Sequence, residues 1–223
     1  MLTSRIELFD KLVSDINKYS PIVIQGEAGV GKSFLARALC QRLKENGIIK
    51  EYTIRNSWDL VNGMICALCD KNMGSWRQEI VTSDIIVIED FHFLKNKTAT
   101  LEELYQIAQS TKAPIIITTS EPIESSYCDD LIAFLNAGAH IQLAQPTQAE
   151  IAEFLNFEIK ANGIQLSTDA NKWLMENINS LTIAKGAIKT LCLYRENTDE
   201  CITLEDCQRI VQPLLSQCGK EFL

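Results

Sequence analysis

The chain has 223 residues, of which 46% are hydrophobic and 22% charged, and this composition excludes a disordered, collagenous or disulfide-dependent mini-protein. Its net charge is −8, with 14 basic and 18 acidic residues in 1–145 and 7 and 11 in 146–223. Strong autonomous DNA binding requires several cations placed against phosphates, so a chain without a basic half is unsuited to it.

Neither a signal peptide nor a membrane span is predicted. Acidic Glu7 and Asp10 lie near the N-terminus, and no apolar run approaches the about 18 residues of a spanning helix. The chain has eight cysteines, and residues 66–69 have C-x-x-C spacing, but no second pair at matching spacing completes a zinc site. We therefore expect free thiols, a cytoplasmic protein and no membrane association.

Residues 1–20 predict an amphipathic helix that ends at Pro21. Up to Pro146, short β-branched runs then alternate with helical patterns, which is typical of a parallel sheet covered by helices on both faces. The predicted strands are 22–24, 52–54, 85–88, 115–118 and 141–143, and the predicted helices are 34–44, 57–69 (with Ser57 as N-cap) and 100–109.

The pattern changes after Pro146, where four helices are predicted with no strand between them: 147–160, 168–177, 181–194 and 203–215. Thr147 with Glu150 and Thr203 with Asp206 have the spacing of an N-cap followed by an acid at the third position. The sequence therefore predicts an α/β domain over 21–146 and a small all-helical domain over 147–223.

A glycine-rich phosphate-binding motif, G-x-x-x-x-G-K-S, follows the first predicted strand and precedes a helix. Its glycines allow backbone N–H groups to surround phosphate oxygens at the helix N-terminus. In this pattern Lys32 reaches the β- and γ-phosphates and the Ser33 hydroxyl coordinates Mg²⁺. The predicted nucleotide-binding residues are Gly26, Glu27, Ala28, Gly29, Val30, Gly31, Lys32, Ser33 and Phe34.

Two further strand ends carry polar side chains. Glu89 and Asp90 follow a buried strand, where P-loop NTPases hold the metal and the attacking water. We expect Glu89 to contact Mg²⁺ or its water and Asp90 to orient or deprotonate the nucleophile. Thr119 or Ser120, at the end of the next buried strand, is a candidate sensor of the γ-phosphate, although hydroxyls in such positions also cap turns.

From Pro21 to Leu215 the sequence resembles the AAA+ ATPases of the bacterial replication-initiator group, which includes DnaA and its shorter relative Hda. The resemblance rests on GEAGVGKSFLARAL, SDIIVIEDFHFL, PIIITTSEP and ITLEDCQRIV. It implies a five-stranded sheet in the order 5-1-4-3-2, a helical lid and bound ATP or ADP with Mg²⁺. We expect the chain to lack the group's DNA-binding domain.

Two arginines of this group have no counterpart here. The resemblance places Phe134 where the group has its arginine finger and Thr182 where it has the arginine sensor of the lid. No arginine lies between Arg77 and Arg195, and Lys185 lacks the bidentate fork of an arginine. Weak or absent intrinsic hydrolysis follows from these departures.

These observations favour an ATP- or ADP-binding regulator of DNA replication initiation that docks onto an AAA+ initiator. The alternative is a self-sufficient ATPase or a loader acting on a helicase or transposase; a small-molecule P-loop kinase is a third hypothesis. Residues 5–9 (Arg-Ile-Glu-Leu-Phe) resemble the sliding-clamp-binding peptide of Hda-like proteins, but they also fit the apolar face of the first helix.

Overall fold

A computed structural model describes residues 9–123, 127–195 and 201–218, with the backbone alone for 216–218. The chain divides into two compact units, Met1–Ala144 and Gln145–Leu223. Within the first unit, residues 9–14 are helical, the helix is interrupted at Asp15, and a short helix α1 (Ile16–Tyr19) follows. The single helix predicted for 1–20 is therefore interrupted, because Asp15 leaves the helical conformation and caps α1 by accepting from the Lys18 N–H.

The first unit contains a five-stranded parallel sheet. Its strands are β1 (Ile22–Gln25), β2 (Tyr52–Asn56), β3 (Ile85–Glu89), β4 (Ile115–Thr119) and β5 (Ala139–Gln142). Their order is β2-β3-β4-β1-β5, which is the predicted 5-1-4-3-2 order read from the other edge. All pairs are parallel, so the carboxyl ends of the strands meet at one edge of the sheet.

Both faces of the sheet are covered, which explains why the central strands are continuous apolar runs. On β3, Ile86 and Ile88 join one core cluster while Ile85 and Val87 join the other. The helices of this unit are α2 (Lys32–Glu45), α3 (Ser57–Cys69), α4 (Met73–Val81), α5 (Thr98–Ser110) and α6 (Asp129–Asn136), with a 3₁₀ turn at Phe91–Leu94.

The sequence patterns miss α4 and α6 and assign one cap wrongly. The side chain of Asn56, not Ser57, caps α3 by accepting from the Asp59 N–H. Ser57 is the first helical residue, and its hydroxyl is turned toward the end of β3. This hydroxyl therefore helps to position the acidic pair rather than the helix terminus.

The second unit is helical, with its own core: α7 (Gln148–Ala161), α8 (Thr168–Asn177), α9 (Leu181–Arg195) and α10 (Leu204–Cys218). Thr147 and Glu150 form the predicted reciprocal cap of α7, and Thr203 exchanges hydrogen bonds with Asp206 at the start of α10. As predicted, no strand lies between these helices in the described residues 145–195 and 201–218, although Leu166 and Ile202 form an isolated parallel bridge.

Candidate nucleotide-binding site

The glycine-rich segment forms a loop at the carboxyl edge of the sheet, between β1 and α2. Gly29 and Gly31 have φ values of 81° and 100°, a region that side chains other than glycine rarely adopt. Because Gly31 turns the chain in this way, α2 begins at Lys32, two residues earlier than the hydrophobic pattern predicts. The N-terminus of α2, whose first N–H groups have no partner within the helix, therefore faces the loop.

Gly26 is required at the start of the loop for a steric reason. A Cβ atom at this position would lie 2.6 Å from the carbonyl oxygen of Leu143 and 2.9 Å from a methyl group of Val30. Its own N–H donates to the Thr119 carbonyl at 3.2 Å, which fixes the loop to β4. The loop is thus anchored on the sheet.

The Lys32 side chain lies within the loop and is only 6% exposed. Its Nζ donates to the carbonyl oxygens of Gly26 and Glu27, both at 2.8 Å, and to the Ser120 hydroxyl at 2.9 Å. All three donors of the ammonium are therefore used. This network fixes a buried positive charge at the sheet edge.

Among the described residues, no carboxylate forms an ion pair with Lys32 that would offset the burial of its charge. Desolvation lowers the pKa of Lys32 below its usual value, and the nearby Asp90 carboxylate opposes that shift. An anionic group bound in the loop would favour the charged form more strongly. The site is therefore electrostatically suited to phosphate.

The remaining loop residues differ in exposure. Val30 is buried in the core cluster shared by β1 and α2, whereas Glu27, Ala28 and Gly29 are exposed. Ser33 is half-buried in the first turn of α2, and the Phe34 side chain beside it is 64% exposed. Ser33 is thus within the loop–helix junction, while Phe34 presents an aromatic ring at the surface.

Glu89, the predicted metal ligand, is paired with an arginine. Arg37 Nη2 donates to Glu89 Oε2 at 2.7 Å and Arg37 Nε donates to Oε1 at 3.1 Å, so both carboxylate oxygens are engaged. The hydrogen bonds to Glu89 raise the pKa of Arg37. A hydroxyl and a carboxylate are ligands that suit Mg²⁺. In this arrangement, however, both oxygens of Glu89 accept hydrogen bonds from Arg37.

Asp90 follows β3 in a left-handed conformation, with φ 56° and ψ 45°. Its N–H donates to the Thr118 hydroxyl at 3.1 Å, and the Ser57 hydroxyl donates to the carbonyl oxygens of Glu89 and Asp90 at 3.1 and 2.9 Å. These bonds hold a strained backbone at the sheet edge. They keep the Asp90 carboxylate close enough to influence Lys32.

The two candidate sensor hydroxyls at the end of β4 have different partners. The Thr119 hydroxyl donates to the Glu121 carbonyl at 2.7 Å and accepts from the Glu121 N–H at 3.2 Å, so it closes a turn. The Ser120 hydroxyl accepts from Lys32, and the Ser120 N–H donates to His92 Nδ1 at 3.3 Å. Of the two, Ser120 is joined to the lysine of the loop.

The position expected for an arginine finger is on α6. Phe134 is half-buried and packs against the core cluster on that face of the sheet. The last turn of α6 contains no basic residue. In the second unit, Thr182 and Lys185 are both exposed residues of α9.

The candidate clamp-binding peptide lies mostly outside the described residues, which exclude 5–8. Phe9 is described, and it is half-buried against the core cluster of the first unit. This packing is what the apolar face of a helix requires. The clamp hypothesis remains a prediction.

Sequence reasoning missed Arg37 altogether, and it predicted Ser57 as an N-cap without its contact with the acidic pair. Arg37 lies one helical turn after Ser33, at the i,i+4 spacing that places two side chains on the same face. The spacing from Ser33 could have indicated that Arg37 lies near the site. Its pairing with Glu89 could not be predicted in this way, because the two residues are 52 positions apart in the sequence. Ser57 contacts only backbone atoms of the acidic pair, and no sequence pattern indicates such a contact.

The described residues form neither a cluster of three metal ligands nor a membrane-spanning helix. Across 9–123, 127–195 and 201–218, no three His, Cys, Asp or Glu side chains are grouped as metal ligands. Within the same ranges, no helix is long and apolar enough to cross a membrane. Cys66 and Cys69 are free, exposed thiols on α3.

The architecture is shared with solved replication initiators. Domain III of the replication initiation protein DnaA from Thermotoga maritima matches with a TM-score of 0.84 and 19% identity, covering 96% of this chain and 92% of that chain. AMPPCP-bound DnaA from Aquifex aeolicus matches with a TM-score of 0.72 and 20% identity, covering 86% of this chain and 64% of that one. A structure described as a DNA replication initiation factor matches with a TM-score of 0.74 and 20% identity, over 91% and 62% of the two chains.

At these identities the structural likeness shows a common AAA+ fold. This chain spans somewhat less than two thirds of the length of the second and third of these proteins. The model of the bacterial DnaA ATPase domain also matches residues 11–141, which include every strand of the sheet except the last residue of β5. The chain therefore belongs to the family of bacterial DnaA ATPase domains.

Proposed function

We propose that this chain is an adenine-nucleotide-binding regulator of DNA replication initiation, which docks onto an AAA+ initiator and has weak intrinsic hydrolysis. The observation that carries the proposal is a contrast within the first unit. Lys32 is held in a complete phosphate loop. Phe134, in contrast, packs on the core at the position where the resemblance to the family places the arginine finger.

Nucleotide binding is supported by the geometry of the loop. The ammonium of Lys32 is buried and fixed, and the start of α2 adds N–H donors and the positive end of a helix dipole. An adenine nucleotide is the ligand of choice because AMPPCP is bound by the A. aeolicus DnaA of the same fold. ATP and ADP both carry the phosphates that such a loop recognises.

Weak hydrolysis is supported by α6. Where it has been measured, an arginine finger contributes about 10³–10⁵-fold to the rate of phosphoryl transfer. Phe134 cannot stabilise the developing charge, and its ring is occupied in packing. A neighbouring subunit's ATP would therefore gain little from contact with this face.

This asymmetry suggests how the protein acts on its partner. Its nucleotide face can accept an arginine finger from an initiator subunit, while α6 has none to donate in return. Such a subunit would add to one end of an initiator assembly and would cap it without stimulating hydrolysis. The proposal includes a cytoplasmic location and leaves clamp binding through Arg5–Phe9 as a separate prediction.

The test is the rate of ATP hydrolysis by the cognate initiator with increasing amounts of this protein. We expect the rate to stay constant or fall. If it falls because this protein carries its own nucleotide, the Lys32→Ala variant should no longer lower it. Acceleration of the initiator's hydrolysis would overturn the proposed function. Robust hydrolysis by the isolated protein, rising steeply with its concentration, would favour the self-sufficient ATPase instead.

A further inference from the structure

Arg37 is paired with Glu89, the residue expected to contact the divalent cation of a P-loop NTPase or its water. Glu89 ends β3, and its side chain is only 9% exposed, so few directions of approach remain open. Arg37 uses both of its facing donors on the two oxygens, at 2.7 and 3.1 Å. The carboxylate is therefore already neutralised by a cation of the protein itself.

Arg37 is also close to the other expected metal ligand along the chain. Ser33 and Arg37 are four positions apart on α2, so their side chains leave the same face of the helix. A divalent ion bound directly by Glu89 would lie beside the guanidinium that contacts both oxygens of this carboxylate, and like charges at such short range repel each other. Metal binding in the usual position would thus require Arg37 to release Glu89.

We propose that Arg37 takes the place of the divalent cation at Glu89, so that adenine nucleotide binds this chain with little dependence on Mg²⁺. Arg37 is a positioning residue in this inference, because it acts through Glu89. The inference rests on the proposed nucleotide binding and adds to it the residue that sets the metal requirement.

The test compares the dissociation constants of ATP and ADP with Mg²⁺ and with EDTA, by calorimetry on the full chain. For the wild type we expect the two buffers to give values within about threefold of each other. For Arg37→Ala we expect binding to become at least about tenfold tighter with Mg²⁺ than with EDTA, since Glu89 is then free to accept the ion.

Arg42→Ala is the matched control, since Arg42 lies on the same helix and forms its ion pair with Glu45, at 3.9 Å, away from Glu89. It should keep the wild-type ratio between the two buffers. Arg37→Gln serves as a second variant in case Arg37→Ala is poorly folded, which melting curves would reveal. Electron paramagnetic resonance of Mn²⁺ with ADP present gives an independent readout: more bound Mn²⁺ per chain is expected in both Arg37 variants than in the wild type.

The two proposals fail in different ways. Wild-type binding that is strong with Mg²⁺ and lost in EDTA, with the same ratio in Arg37→Ala, would overturn the role of Arg37 and leave the proposed function intact. No nucleotide binding by the wild type in either buffer would overturn the proposed function and this inference with it.

Discussion

The carboxyl edge of the sheet and helix α6 belong to the same α/β unit, but they differ in what they offer an AAA+ ATPase. The sheet edge has the lysine of the phosphate loop, whereas α6 has a phenylalanine where an arginine finger is expected. At the sheet edge, Lys32 is buried and fully hydrogen-bonded in a loop with two left-handed glycines. On α6, Phe134 packs on the core. Under the proposed function, the contrast teaches that one fold can keep a phosphate loop while a single side chain removes the contribution to a neighbour's hydrolysis.

The largest effect is expected from removing the Lys32 side chain from the phosphate loop, the first of the two regions compared. Lys32→Ala should weaken ATP and ADP binding by about 100-fold, because a charge-assisted contact with phosphate is lost. Calorimetry measures the change directly. Lys44→Ala is the control, since Lys44 lies at the far end of α2 and pairs with Glu51 at 3.3 Å. Binding by Lys32→Ala within about threefold of wild type would contradict a working phosphate loop.

The second region, helix α6, is tested by introducing an arginine at the position expected for the finger. Phe134→Arg should raise ATP hydrolysis in mixtures with the cognate initiator by at least about tenfold, since a finger contributes more than this where it has been measured. Loss of the half-buried ring should lower the free energy of unfolding by about 1–2 kcal/mol, which denaturant titration would report.

Ala133→Arg is the control for that experiment, because Ala133 is the exposed neighbour on the same helix. It adds the same charge without placing it where the family's finger is expected. An equal rise in hydrolysis with both variants would indicate a general charge effect and would contradict the assignment of position 134.

The smallest effect is expected from separating the roles of the two hydroxyls at the end of β4, those of Thr119 and Ser120. Ser120→Ala should weaken nucleotide binding by about three- to fivefold, since Lys32 loses one of its three acceptors. Thr119→Val should leave the dissociation constant unchanged and lower the free energy of unfolding by about 1 kcal/mol, because the Glu121 N–H loses its partner. If Thr119→Val weakened nucleotide binding more than Ser120→Ala, the turn assigned to Thr119 would not be its main role.

Much of the fold follows from patterns that are local in sequence. The continuous apolar runs of β3 and β4 predict strands buried on both faces, and the two core clusters contact them from opposite sides. Helices α4 and α6 were missed because they are short, with nine and eight residues, and neither has a side-chain N-cap. The acidic first turn of α6, Asp129 and Asp130, was its available signal.

The sequence by itself determined the AAA+ class, the parallel sheet and its order, and the loop around Lys32, because each depends on residue types at fixed short spacings or on a resemblance that such spacings carry. Only the tertiary structure decided that Arg37 pairs with Glu89, that Thr119 closes a turn while Ser120 contacts Lys32, and that Phe134 packs on the core. These contacts join residues from different strands and helices, or depend on which way a side chain turns. Both are fixed by packing and hydrogen bonding in three dimensions, and no local pattern encodes them.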